Sequence, residues 1–89
     1  MQYKLKNPVD IGGKKLETVE IKEEWNVGDF IKIQDAGNGE GSRGLCQVAI
    51  AIDQPELIVK TFALDDYLEI LKASTGFFMK HMKKAKASI

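Results

Sequence analysis

The chain has 89 residues, in which 13 lysines and arginines are balanced by 13 aspartates and glutamates. Zero net charge argues against a dedicated phosphate-neutralising domain, which carries a clear basic excess, and the length leaves room for one domain with a modest core. Cys46 is the single cysteine and excludes an internal disulfide. The start of the chain lacks the apolar core of a signal peptide, and no apolar run reaches the roughly 20 residues that span a bilayer. A cytoplasmic protein that is not inserted in a membrane is expected.

The neutrality is composite. From Lys80 onward there are four lysines and no acid, so the preceding residues hold nine basic and 13 acidic groups, a balance of −4. An acidic body thus carries a basic end.

Tyr3 and Leu5 alternate with Lys4 and Lys6, and Val19 and Ile21 alternate with Glu20 and Lys22, the period-2 pattern of half-buried strands. Asn7-Pro8 and Gly12-Gly13 supply turn chemistry between them. Pro8, lacking an amide donor, is expected to end the first strand, and the glycines to take positive φ where the chain reverses. Residues 1–24 therefore read as an antiparallel hairpin, which needs helices or another copy over its apolar face because two strands alone are marginal.

Asn26 followed three residues later by Asp29 is a helix start. A short helix over Val27–Gln34 would present Val27, Phe30, Ile31 and Gln34 on one side. Residues 37–44 hold four glycines in eight positions and read as a flexible loop. Beyond it, Leu45, Val48, Ala49 and Ile52 fall on one helix face flanked by Cys46 and Ala51. Gln54-Pro55 ends that helix, and Pro55 opens a short one carrying Leu57, Ile58 and Phe62.

In the last segment Leu64, Tyr67, Leu68, Leu71, Thr75, Phe78, Met79 and Met82 keep helical spacing and read as the core stripe. Asp65 and Asp66 occupy its dipole-positive start, and Lys80, Lys83, Lys84 and Lys86 its dipole-negative end. The fold class is α+β: a hairpin followed by three or four helices in one small domain, with a helical part over 26–84 and a frayed tail over 85–89.

The chemical signals are weak. Gly39-x-Gly41-x-x-Gly44 matches a dinucleotide-binding fingerprint, but no strand precedes it and no βαβ unit fits around it. His81 is the only histidine, and Cys46 lies on a separate segment. Asp65 and Asp66 point about 100° apart on a helix, poor geometry for a carboxylate dyad. Ser42-Arg43 and Ser74-Thr75 have no base nearby. No enzyme activity, cofactor, metal or small-molecule substrate is expected.

Two features remain. Ile70 and Phe77 lie off the stripe and make the last helix apolar over more than one partner layer needs, so it is either buried from two sides or reserved for another chain. The basic end either complements the helix dipole or contacts an acidic partner or nucleic acid. Four lysines would give only weak, salt-sensitive nucleic-acid binding.

The order of elements resembles the tail assembly chaperone family of Mu-like and related contractile-tailed phages and prophages. The residues that carry the resemblance are Leu5-Lys6-Asn7-Pro8-Val9, Gly12-Gly13-Lys14, the strand Leu16–Ile21, Val27-Gly28-Asp29-Phe30, Leu64-Asp65-Asp66-Tyr67 and Gly76-Phe77-Phe78. The resemblance as a whole extends over about three-quarters of the chain, with its gap at the glycine-rich stretch. Trp25-Asn26 stands where a proline-containing helix start is usual, and the glycine-rich stretch is unusually long.

The resemblance implies a non-enzymatic role: binding the tape measure protein, keeping its apolar helices soluble, and assisting assembly with the tail tube protein. Such a role needs an exposed apolar groove or helix face. The expected partner-binding residues are Tyr67, Ile70, Leu71, Phe77, Phe78 and Met82, with a homo-oligomer as a further expectation. The alternative is a small nucleic-acid-binding or regulatory module using Lys80, Lys83, Lys84 and Lys86.

Overall fold

Six elements follow one another in the computed structural model, which describes residues 1–37 and 39–87, with side-chain surroundings through residue 81. They are β1 (Gln2–Ile11), β2 (Lys14–Glu20), α1 (Val27–Gln34), α2 (Glu40–Ile52), α3 (Glu56–Val59) and α4 (Leu64–Ala87). The α+β expectation holds: β1 and β2 form an antiparallel hairpin, and four helices follow. Gly12 and Gly13 turn the chain with φ of 56° and 87° between the paired Ile11 and Lys14. Positive φ at both central residues gives a two-residue turn the twist of its strands.

Pro8 does not end the first strand. Lys4 pairs with Thr18 and Val9 with Leu16, so four residues of β1, Leu5 to Pro8, lie opposite Glu17 alone. Pro8, with no donor to offer, falls where the ladder is already interrupted. The strand resumes at Val9 and continues to Ile11.

Helix α1 begins as its sequence predicts. Asn26 Oδ1 accepts from the Asp29 amide at 2.9 Å, and Asp29 Oδ2 accepts from the Asn26 amide at 3.2 Å, a reciprocal cap. Which way its apolar side points was left open by the sequence. Lys22 Nζ pairs with Asp29 at 2.7 Å and draws the carboxylate inward, and Ile33, four residues on, is buried beside it. That rotation turns the expected apolar side outward: Val27 is 72% exposed, and Phe30 and Ile31 are about half exposed.

Helix α2 starts at Glu40, so residues 40–44 of the expected loop are helical. A Cβ at Gly44 would stand 2.8 Å from the Tyr67 hydroxyl. Glycine there lets α2 approach α4 closely, a use that resembles loop composition in the sequence. The helix ends on Asp53 in the left-handed region, where the Gln54 amide donates to the Ala49 carbonyl at 3.1 Å. Pro55 caps α3, and Val59 and Phe62 join the core.

Helix α4 shows the largest departure. Asp66, Ile70 and Ser74, four apart, have no solvent exposure, and Tyr67, Leu71, Ala73 and Phe77 pack partly buried against the core. Of the expected core stripe, Leu64 is 70% exposed and Leu68 and Met79 about half. Hydrogen bonds explain the reversal: Ser74 receives the Gln47 side-chain amide at 2.8 Å and donates to the Leu71 carbonyl at 2.9 Å. Satisfied polar groups can be buried, and the more apolar face is left outside. The helix backbone also runs through Ala87, beyond the expected boundary at 84.

The core joins Leu5, Val9, Val19 and Ile21 of the hairpin region to Val48, Ala51 and Ile52 of α2, Val59 and Phe62 around α3, and Ile70 of α4. Gly76 lies in α4 with nothing within 4 Å of where its Cβ would be. Gly76→Ala is expected to raise stability by about 1 kcal/mol through helix propensity alone, measured by urea unfolding.

Candidate partner-binding surface

The segment between β2 and α1 crosses α4 and builds an aromatic cluster. Trp25 Nε1 donates to the Lys22 carbonyl at 3.0 Å, and the Trp25 backbone amide donates to His81 Nε2 at 3.3 Å. The Trp25 ring meets Phe78 edge-on at 6.0 Å, and Phe30 stacks on Phe78 at 5.8 Å. The Lys22 ammonium lies 5.6 Å from the Trp25 ring centre. His81 thereby ties α4 to this segment, with Glu24 3.6 Å away.

Two exposed apolar strips lead away from the cluster. One is Val27, Phe30 and Ile31 on α1, and the other is Leu64, Leu68 and Met79 on α4. Positions 64, 68 and 79 share one side of a helix, and Phe78, next to Met79, joins that side to Phe30. Large apolar side chains on two adjoining helices form a surface suited to covering another apolar helix.

The expected partner-binding residues divide differently. Ile70 has no exposure and belongs to this chain's own core. Tyr67, Leu71 and Phe77 pack inward against it, and Phe78 sits half-buried in the aromatic cluster. Met82 lies outside the residues whose side chains are described, as do Lys83, Lys84 and Lys86. Lys80 is exposed in a small depression shared with Glu23, Glu24, Phe77 and His81, where two carboxylates oppose the approach of a phosphate. Leu64, Leu68 and Met79 were expected on the core stripe, and Val27, Phe30 and Ile31 on one side of α1 whose direction the sequence left open; both sets face outward. The pairing of polar Asp66 and Ser74 with Ile70 at four-residue spacing was the signal for the true core face.

Asp66 fastens the hairpin to the last helix. Its Oδ1 accepts from the Tyr3 hydroxyl at 2.8 Å and the Lys6 amide at 3.0 Å, and its Oδ2 from the Asn7 amide at 2.9 Å and the Asn7 side chain at 3.4 Å. Burial alone would push this carboxyl up, but the donors from Lys6, Tyr3 and Asn7 together hold it below its ordinary value. Burial and the bond to Asp66 push Tyr3 up to about 12. The carboxylate thus takes the two amides that the interrupted ladder leaves unpaired and fastens the hairpin to α4. Asp65 keeps the expected place at the helix start.

Cys46 is buried with its Sγ 3.6 Å from the Lys32 carbonyl, and burial pushes the thiol up, away from the reactive thiolate. Among the described residues, no group of histidine, cysteine and carboxylate side chains could hold a metal ion, and no helix is long and apolar enough to cross a membrane.

An open cleft of about 1150 Å³ lies between the end of β2, α1 and the second half of α2. Ile31, Ala49, Ile50 and Ile52 contribute apolar lining, and five carboxylates (Glu20, Asp29, Asp35, Asp53, Glu56) outnumber Lys22 and Lys32 around it. Lys22 is already engaged by Asp29. Compared with protein-family models, with curated proteins and with solved structures, the chain matches none of them.

Proposed function

We propose that the chain is a tail assembly chaperone of a phage or prophage, acting without catalysis in the host cytoplasm. It holds apolar helices of a tape measure protein in solution and assists assembly with the tail tube protein. What supports the reading is the exposed apolar surface of Val27, Phe30, Ile31, Leu64, Leu68 and Met79, together with the family resemblance in the order of elements. Covering these half- to mostly exposed side chains is worth about 1–1.5 kcal/mol each. Set against association costs of about 4–15 kcal/mol, the gain supports binding that is reversible, as a chaperone that must hand over its client requires.

The test is co-expression with a tape measure protein. The wild-type chain is expected to keep that protein soluble and to elute with it. The triple variant Val27→Asp, Leu68→Glu, Met79→Lys removes three apolar contacts and is expected to lower affinity by about 100- to 1,000-fold, returning the client to the pellet. The variant's own circular dichroism spectrum should be unchanged. A client that is insoluble with both chains, or equally soluble with both, refutes the proposal.

A further inference from the structure

We propose that the open acidic cleft receives the basic last turns of α4 from a second copy of this chain, so that copies associate head to tail. Charge complementarity selects the occupant: five carboxylates and two lysines line the cleft, and residues 82–86, past the His81 contact to the chain's own Trp25, carry three lysines with no acid. Among the described residues, Asp35, Asp53 and Glu56 have no ion-pair partner.

The segment is presented as helix already. The α4 backbone continues to Ala87, about 9 Å past His81 at the rise of an α-helix. Being continuous with α4, it cannot fold back into its own cleft without breaking the helix, so the occupant comes from another copy. Because donor and acceptor surfaces differ, the contact is heterologous: it grows into open chains unless a ring closes.

The experiment measures molar mass by light scattering across a concentration series of the full chain. It is run in about 0.01 M and about 1 M salt, where charges are screened over about 30 Å and about 3 Å. The wild type is expected to exceed the monomer mass in low salt and to return to it in high salt. The end variant Lys83→Glu/Lys84→Glu/Lys86→Glu and the cleft variant Asp35→Lys/Glu56→Lys should each be monomeric in low salt.

Mixing the two reversed variants should not restore pairing through a reversed end and an intact cleft, but it leaves one wild-type end and one wild-type cleft. Mass above the monomer is expected in the mixture although neither variant alone gives it. Should the cleft variant fail to fold, excess end variant, whose cleft is intact, should cap wild-type chains as dimers. A wild type that stays monomeric in low salt, association that survives the end reversal, or association that persists in high salt overturns the proposal. None of these outcomes depends on the tape measure protein.

Discussion

Asp66→Ala is expected to lower unfolding free energy by about 3–5 kcal/mol, a large share of what an 89-residue domain holds in total. The cost comes from the donors left behind. The Lys6 and Asn7 amides and the Tyr3 hydroxyl all donate to this one buried carboxylate, and each buried donor without a partner costs about 1–3 kcal/mol. Asp66→Asn keeps the shape but replaces acceptors by donors at one oxygen position, so it should fall between alanine and wild type.

The pH dependence follows from the same bonds. The folded carboxyl titrates below its ordinary value of 3.8, so its contribution is complete above the ordinary carboxylate range and is lost as pH falls through the lowered folded value. Urea midpoints taken from neutral to acid pH should therefore decline for wild type and decline less for Asp66→Ala. Equal acid slopes in the two proteins would contradict the assignment. Tyr3 acts at the other extreme: raised to about 12 from 10.0, it makes stability decline as pH rises through that interval.

The second large effect separates the two faces of α4. Ile70→Ala should cost about 2–5 kcal/mol, because Ile70 is fully enclosed by the core. Leu68→Ala, two positions earlier and half exposed, should cost less than about 1 kcal/mol. The apolar periodicity alone predicts the opposite order, since it places Leu68 on the stripe and Ile70 off it. Urea unfolding of the two variants decides which face is core.

Much of the architecture was legible because it rests on local chemistry. Gly12-Gly13 supplies the positive φ of the hairpin turn, Asn26 and Asp29 cap α1 within one turn, and Pro55 fixes the junction before α3. What could not be read depends on partners distant in sequence. The strand irregularity around Asn7-Pro8 is held by Asp66, 59 residues away from Asn7. Gly44 is explained by Tyr67, and the outward turn of α1 by Lys22.

The candidate surface was misplaced for the same reason. Hydrophobicity ranks Leu64 and Leu68 above Asp66 and Ser74, so a periodicity argument buries the wrong side of α4. Only the acceptors and donors supplied by β1 and by Gln47 of α2 make the polar pair acceptable inside. The excess apolar width of the last helix was nevertheless visible: the structure buries Ile70 and leaves Leu64, Leu68 and Met79 exposed.

The proposed role requires the outward apolar face to bind an apolar helix. The most direct measurement is a side-chain NMR titration of the chain with a tape measure helix. Shifts concentrated at Val27, Phe30, Ile31, Leu64, Leu68 and Met79, with Ile70 and Val48 little changed, are the predicted result. No shifts, or shifts confined to the outward side of the hairpin, would contradict it.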